Sequence, residues 1–301
     1  MNDLLKKYPQ FSQLNNFEKL IFKTCFYFNN VEWKIFNLKY SGNKIFLDTK
    51  SKKNKKKSKI KRTKIDLNTL KRRYERVFGN DFLKKISGKR ILDMGCGDGS
   101  YALMMAKFSD CKVNGVDLIG DFYEAEIYAK KNKIDNLYLA NKNVSEISSN
   151  KYDIIISHDS FEHFDEPDKM FNEMVRVLKP GGYLWIQFGP AWFGPYGRHM
   201  SGTFRKDRPW VHLVLPEKTI MRCHSVLGNR DELVEKFKDK PGGLNKMGLY
   251  RFLRIIKKNN ILIKNLKINP ISEKLKILTY IPFMKELFIG SISTKLKKTS
   301  N

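Results

Sequence analysis

The stretch Ile91-Leu92-Asp93-Met94-Gly95-Cys96-Gly97-Asp98-Gly99 decides the fold of this 301-residue chain. An apolar run that ends in an acid precedes three glycines at alternate positions, which predicts a strand that turns sharply into a helix. Glycine permits that turn and removes the Cβ atoms that would keep a ligand away from the backbone. The stretch therefore predicts a loop that binds a small charged cofactor. Gly97, Gly99 and Ala102 also fit the G-x-G-x-x-A pattern of a dinucleotide site, so the loop alone leaves the cofactor open.

Short β-rich runs continue after this loop and alternate with helix-like segments. They lie at 112–117, 137–140, 152–157 and 182–188, and ILIKNLKI and LFIGSISTKLKK follow near the C-terminus. Strands that alternate with helices favour parallel pairing, with helices on both faces of the sheet. Together with 90–94, the runs predict an α/β fold with a doubly wound, mostly parallel sheet of seven strands.

The chain divides into three predicted regions. Residues 1–49 have apolar side chains at partly helical spacing and then hairpin-like residues, which predicts an N-terminal accessory region. Residues 50–65 form a lysine-rich linker, and the sheet domain covers 66–301. Within it, 189–245 is predicted as a substrate lid, because its first half is rich in Gly, Pro, Trp and His and is too long for an ordinary connection. Helices are predicted over 66–86, 230–237 and 246–258.

The formal charge of +27 is typical of proteins that bind nucleic acid or an anionic membrane surface. However, Lys, Asn and Ile are plentiful throughout, and the most basic stretch, 50–64, has no aromatic residue on which a base could stack. Nucleic acid is therefore a less favoured partner, while peripheral membrane contact stays open. No run approaches the roughly 20 apolar residues of a membrane-spanning helix. Four cysteines without a CxxC pair and a polar N-terminus favour a cytoplasmic location.

Four segments, in order, resemble the motifs of the class I S-adenosylmethionine-dependent methyltransferases with a small-molecule-type domain. They are LDMGCGDG, GVDL, YDIIISHDSFEH and VRVLKPGGYLWI, and the resemblance covers roughly residues 70–190. It implies a Rossmann-like methyltransferase fold and S-adenosylmethionine as the cofactor. The segments WFGPYGRHM, NKMGLYRFLRII and IPFMKELF are similar to bacterial methyltransferases associated with cell-surface glycans. That similarity implies a small-molecule or glycan acceptor.

The resemblance also implies which positions meet each part of the cofactor. The glycine loop holds the methionine moiety, and Asp117, at the end of the second strand, accepts the ribose hydroxyls. The next residue covers one face of the adenine, a pair after the third strand meets its edge, and the end of the fourth strand lies beside the sulfonium. The implied cofactor-binding residues are Asp93, Gly95, Gly97, Asp117, Leu118, Asn143, Val144, Ser157 and His158.

A hydroxyl acceptor calls for a general base, and His163 and His199 are the predicted catalytic imidazoles. The alternative for His163 is that it only packs at the start of a helix. The cluster His158, Asp159, Glu162 and His163 raises the question of a metal ion. Its spacing fits neither H-E-x-x-H nor H-x-x-E-H, and no motif elsewhere in the sequence indicates a third ligand. We therefore expect no metal site.

The predicted lid supplies the candidate substrate contacts. Aromatic and charged residues on a Gly- and Pro-rich loop commonly recognise ligands, although they can also pin the loop onto the sheet. The predicted substrate-binding residues are Trp192, Tyr196, Arg198 and His212. The expected function is O-methylation of a small molecule or a glycan precursor. The alternatives are nucleic-acid methylation, non-catalytic binding of S-adenosylmethionine, and nicotinamide-dependent oxidoreduction.

Overall fold

The computed structural model describes residues 6–23, 65–200, 209–228, 230–240, 242–259 and 261–300. Their centre is one seven-stranded sheet in the order β3-β2-β1-β4-β5-β7-β6. Among these strands, β7 is antiparallel to both of its neighbours, β5 and β6, and all other pairs are parallel. The strands are β1 (Arg90–Met94), β2 (Lys112–Asp117), β3 (Leu137–Asn141), β4 (Tyr152–His158), β5 (Leu178–Phe188), β6 (Ile261–Pro270) and β7 (Ile289–Lys298). The predicted doubly wound, mostly parallel sheet is confirmed.

Helices cover both faces of this sheet. The α-helices are α1 (Asn16–Ile21), α2 (Leu67–Phe78), α3 (Phe82–Ile86), α4 (Ser100–Phe108), α5 (Tyr123–Lys131), α6 (Pro167–Val177), α7 (Val211–Val214), α8 (Glu217–Leu227) and α9 (Leu249–Lys257). The 3-10 helices are Pro9–Gln13, Val144–Glu146, Phe161–His163, Phe237–Asp239, Glu273–Tyr280 and Lys285–Phe288. No described helix is long and apolar enough to span a membrane.

The central strands have apolar runs in their middle because both of their faces are buried there. Successive side chains of a strand point to opposite faces, so Ile91 packs into one hydrophobic core and Leu92 into the other. Ile154 and Ile155 in β4 divide in the same way. This two-sided burial explains why β1 and β4 read as continuous apolar runs.

A third, smaller core joins the N-terminal segment to the predicted lid. Phe11 and Phe22 pack with Trp192, Ile220 and other residues of the insertion. The carboxylate of Glu18, which is 1% exposed, lies 3.0 Å from the guanidinium of Arg222. The described part of the N-terminal region is therefore packed against the insertion. The predicted hairpin within 33–47 and the linker at 50–64 lie outside the described residues, and the domain boundaries stay predictions.

Two predicted helices differ from the structure. The helix expected over 66–86 is interrupted at Gly79, whose φ of +108° ends α2 before α3 begins. The predicted helix over 230–237 is wrong, because this segment is irregular and only a 3-10 turn begins at its end, at Phe237. Its backbone instead bonds to α8: Val234 N–H donates to Ser225 Oγ at 3.0 Å, and Phe237 N–H donates to a Glu217 carboxylate oxygen at 2.7 Å. The helix expected over 246–258 is confirmed as α9.

The strand order places the glycine loop at the switch point of the sheet. After β1 the chain proceeds to β2 and β3 on one side, whereas β4 and β5 pair on the other side of β1. Ligands of open α/β sheets bind outside the carboxyl ends of the strands at this point. Residues 95–99, which follow β1, lie at this edge.

Candidate active site

The loop after β1 has the backbone conformation that its glycines predict. Gly95, Gly97 and Gly99 have φ values of +73°, +57° and +75°, in the left-handed region that favours glycine. No described heavy atom lies within 4 Å of the position that a Cβ of Gly97 would take. At Gly97 the loop therefore presents bare backbone to open space, into which a ligand can approach closely.

Asp117 connects this loop to the end of β2. One carboxylate oxygen accepts the N–H of Gly97 at 2.9 Å, and the other accepts the N–H of Ile119 at 3.0 Å. The backbone N–H groups of Gly95 and Cys96 donate to the carbonyl of Val116 at 2.9 and 3.1 Å. These bonds fix the carboxylate of Asp117 at the rim of the loop, where each oxygen keeps acceptor capacity for a ligand hydroxyl.

A cavity of about 550 Å³ opens beside the loop. Its wall contains backbone or side chains of Gly95, Gly97, Asp117, Leu118, Asn143, Val144, Asp159, Ser160, His163 and Phe164, among others. Leu118 is 65% exposed and offers an apolar surface. The size suits a small cofactor with room for an acceptor.

The edge of the cavity after β3 is held by a capping arrangement. The Asn143 side-chain oxygen accepts the N–H of Ser145 at 3.0 Å, and Glu146 accepts the N–H of Asn143 at 3.1 Å. Asn143 and Val144 therefore present a fixed backbone to the cavity, while the amide oxygen of Asn143 is already used in the cap.

A family model described as "Methyltransferase domain" matches residues 92–186. That segment contains β1 to β5, the glycine loop and most of the cavity wall. Residues 92–186 therefore carry a methyltransferase domain of the class I, S-adenosylmethionine-dependent type. S-adenosylmethionine is the cofactor of this class.

Several known proteins are similar to part of this chain. Phosphoethanolamine N-methyltransferase 1 of Triticum aestivum is 30% identical over an alignment of 131 residues. The alignment covers 38% of this chain and 26% of that protein. Ubiquinone biosynthesis O-methyltransferase of Proteus mirabilis is 25% identical over 174 residues, 51% of this chain and 70% of that protein. A proposed sarcosine dimethylglycine methyltransferase of Galdieria sulphuraria has a solved structure with a TM-score of 0.50, 17% identity, and coverage of 76% and 86%. The chain thus spans about a quarter of the wheat relative, and the structural likeness concerns the fold.

Asp93 is the buried acid of the methyltransferase loop. It is 2% exposed, and one of its carboxylate oxygens has no partner among the described residues. Burial first, and then the negative charges of Asp117 and Asp98, raise the pKa of Asp93 to about 7. A cationic ammonium group beside Asp93 would satisfy the free oxygen and offset the repulsion. The loop, the carboxylate of Asp117 and this unpartnered acid all fit S-adenosylmethionine.

The end of β4 lies behind the cavity wall. Ser157 is fully buried, and the imidazole of His158 packs against the rings of Tyr74 and Tyr101, with 4.9 Å between ring centroids in each pair. Burial lowers the pKa of His158 to about 4, which keeps the ring neutral at pH 7. Neither Ser157 nor His158 is among the described residues that line the cavity. Their contact with the cofactor stays a prediction.

The two predicted bases lie next to each other. The rings of His163 and His199 have centroids 5.4 Å apart, and His163 lines the cavity. His163 Nδ1 bonds to the carbonyls of Gly242 and Gly243, the latter at 2.9 Å, and His199 Nε2 bonds to the carbonyl of Pro190 at 2.8 Å. Burial is the main reason that the pKa of His199 falls to about 3. The two catalytic assignments stay predictions.

The four predicted substrate residues lie in the interior of the insertion, and none is among the described residues that line the cavity. Trp192 packs edge-on against His212 and Phe237. His212 is 6% exposed and bonds through Nε2 to the carbonyl of Trp192 at 2.6 Å, and Arg198 is 1% exposed. The guanidinium of Arg198 lies 6.0 Å from the ring centre of Tyr196. Their observed role is to pack the insertion; their role in substrate binding stays a prediction.

The sequence did not indicate Arg73 and Tyr74 as neighbours of the site, and it indicated Asp159 and Glu162 only as possible metal ligands. Helix α2 brings Arg73 and Tyr74 to the end of β4, where Arg73 Nη2 lies 2.7 Å from a carboxylate oxygen of Asp159. Asp159 has a φ of +52° and lines the cavity. Glu162 is 2% exposed, and burial, followed by the charge of Asp159, raises its pKa to about 8. Only the acid-rich sequence after β4 hinted at this cluster.

Proposed function

We propose that this protein transfers the methyl group of S-adenosylmethionine directly to a hydroxyl oxygen of a small molecule or a glycan precursor. The observation that supports this proposal best is the cavity beside the bare backbone of Gly97, with the carboxylate of Asp117 at its rim and the imidazole of His163 in the same wall. A cofactor site and a proton acceptor thus share one cavity.

S-adenosylmethionine, when bound, would supply a methyl carbon that a nucleophile can attack, with the thioether of S-adenosylhomocysteine as the leaving group. The residues of this chain hold the reactants in line and exclude water. Gly95 and Gly97 accommodate the methionine moiety against the backbone, and Asp93 pairs with its ammonium group. Asp117 accepts hydrogen bonds from the ribose hydroxyls, and Leu118 covers the adenine.

His163 is the proposed general base. A carbonyl oxygen only accepts hydrogen bonds, so Nδ1 of His163 carries the proton that binds the Gly242 and Gly243 carbonyls, and Nε2 keeps its lone pair. That nitrogen can take the proton of an acceptor hydroxyl. His199, whose ring lies against His163, is the second candidate.

The charges of the cavity argue for an acceptor without phosphates near the reacting oxygen. Asp117, Asp121 and Asp159 line the cavity, whereas Lys142 is the one lysine or arginine among the described lining residues. A polyanion would meet net repulsion there. This supports a neutral hydroxylated acceptor over RNA or DNA, despite the chain's charge of +27.

The test is to incubate the protein and S-adenosylmethionine labelled in the methyl group with fractionated extracts of its source cells. The expected result is label in a small molecule or soluble glycan precursor, at an oxygen, as determined by mass spectrometry. Label on a nitrogen or carbon atom, or predominantly in RNA or protein, would refute the proposed acceptor class. A failure to transfer label to any fraction, together with tight cofactor binding, would favour a non-catalytic binding protein.

A further inference from the structure

Glu162, His163 and His199 form a compact cluster, and His163 is the member that lines the described cavity. One carboxylate oxygen and one ring nitrogen of each histidine all lie within 4.8 Å of one another. Ligands that are about 2.0–2.2 Å from a shared ion lie at most about 4.4 Å apart. A contraction of a few tenths of an ångström would therefore bring the three side chains around a single ion.

The hydrogen bonds of both histidines leave one ring nitrogen of each available. Nδ1 of His163 donates to backbone carbonyls, and Nε2 of His199 donates to the carbonyl of Pro190. The remaining nitrogens, Nε2 of His163 and Nδ1 of His199, are therefore the acceptors in the neutral rings. Histidines that bind metals almost always donate their other N–H in this way, which fixes the ring orientation.

Glu162 adds an independent indication of a ligand. Its side chain is 2% exposed, and one carboxylate oxygen accepts the N–H of Gly189 at 3.0 Å. The other oxygen is buried and has no partner among the described residues. A buried carboxylate oxygen without a partner is costly, and a cation is a group that would satisfy it.

We propose that Glu162, His163 and His199 bind a divalent first-row transition-metal ion that holds the oxygen of the methyl acceptor. A carboxylate with two imidazoles suits Mn²⁺, Fe²⁺ or Zn²⁺, whereas Mg²⁺ and Ca²⁺ prefer sets of oxygen ligands. The sequence predicted no metal site because residues 158–163 lack a recognisable third ligand. In the fold, His199 of the insertion lies beside Glu162 and His163 and can be that ligand.

The position of the site suggests how the ion would act, and this step rests on the proposed function. His163 lines the cofactor cavity, so the open positions of the ion face the space for an acceptor. With the ion bound, His163 is a ligand and not the base: the ion lowers the pKa of a bound hydroxyl, whose proton passes to water. The acceptor oxygen then forms the new C–O bond while the C–S bond of the sulfonium breaks and sulfur keeps the electron pair. An ion that keeps at least two positions open beside these three ligands would favour an acceptor with adjacent oxygens, such as a vicinal diol or a catechol.

The experiment measures metal binding by the full chain after treatment with a chelator and its removal. Mn²⁺ is titrated and followed by electron paramagnetic resonance, and Zn²⁺ is titrated and quantified by mass spectrometry. The wild type should bind one equivalent of at least one of these ions. Glu162→Gln keeps the shape of the side chain and an acceptor for Gly189, and it should weaken binding at least about tenfold, as should His199→Gln. His224→Gln, a histidine substitution outside the cluster, should bind like the wild type.

Affinity for S-adenosylmethionine is measured in the same samples and reports separately on folding and on the proposed function. Metal binding that is lost in Glu162→Gln and His199→Gln, while cofactor affinity persists, supports the site. Wild type that binds neither ion, or Glu162→Gln that binds them as tightly as wild type, overturns it. Loss of the cofactor from every sample, including the wild type, would instead overturn the proposed function. Methyl transfer that is insensitive to chelation would leave His163 as a base and reject the ion's role.

Discussion

Replacing Gly97 with alanine should separate cofactor binding from folding. A Cβ at this position has no described heavy atom within 4 Å, so the protein itself has room for it, but the φ of +57° costs a non-glycine residue about 1–2 kcal/mol. Gly88 is a matched control, because its φ is +69°, its Cβ would also meet nothing within 4 Å, and it does not line the described cavity. Both variants should lose similar stability.

The two variants should differ in affinity for S-adenosylmethionine. The new methyl group of Gly97→Ala points into space where the cofactor approaches the backbone, and such overpacking costs about 1–3 kcal/mol. At 1.4 kcal/mol per tenfold change, this corresponds to a loss of about 5- to 150-fold. Isothermal titration calorimetry measures the affinity, and thermal unfolding measures stability. Wild-type affinity in Gly97→Ala, or an equal loss in Gly88→Ala, would refute the assignment of the loop.

Three further predictions concern single side chains. Asp117→Ala should weaken binding of S-adenosylmethionine at least about tenfold in calorimetry, because the ribose loses a charged hydrogen-bond acceptor worth about 1.5–3 kcal/mol; unchanged affinity would contradict this role. Arg222→Ala should destabilise the fold by about 3 kcal/mol in denaturant unfolding, because it leaves the buried carboxylate of Glu18 without its partner at 3.0 Å; a change below about 0.5 kcal/mol would contradict it. Asp93→Asn should raise the melting temperature of the cofactor-free protein. The pKa of Asp93 in the folded protein, about 7, lies above its ordinary value. Asp93 therefore lowers the free energy of unfolding increasingly as the pH rises from about 4 to 7. The gain should therefore be larger at pH 8 than at pH 5, and an equal gain at both would contradict the shifted pKa.

The sheet and the cofactor loop could be predicted because their signals are local. β1 is buried on both faces from Ile91 to Met94 and is apolar there except for Asp93, and the glycines that follow have positive φ values, which glycine favours. The position of Asp117 follows from the same alternation of strands and helices. These features need only the neighbouring residues to be recognised.

The chemistry around the cavity depends on contacts between distant parts of the chain, which sequence patterns do not reveal. Arg73 reaches Asp159 across 86 residues, and His199 comes to Glu162 and His163 from the insertion. The sequence also did not determine whether the aromatic residues of the insertion bind a ligand or pack into a core. A Trp in a loop rich in Gly and Pro can face a ligand or a small core, and Trp192 packs into the core that includes Phe11 of the N-terminal segment.

We infer that S-adenosylmethionine binds in the cavity between Gly97 and Asp117. The decisive experiment is calorimetric titration of the wild type with S-adenosylmethionine, and separately with the oxidised and reduced nicotinamide dinucleotides. We expect one equivalent of S-adenosylmethionine to bind, with an affinity that falls in Gly97→Ala but not in Gly88→Ala, and we expect no binding of either dinucleotide. Binding of a nicotinamide dinucleotide without binding of S-adenosylmethionine would contradict it.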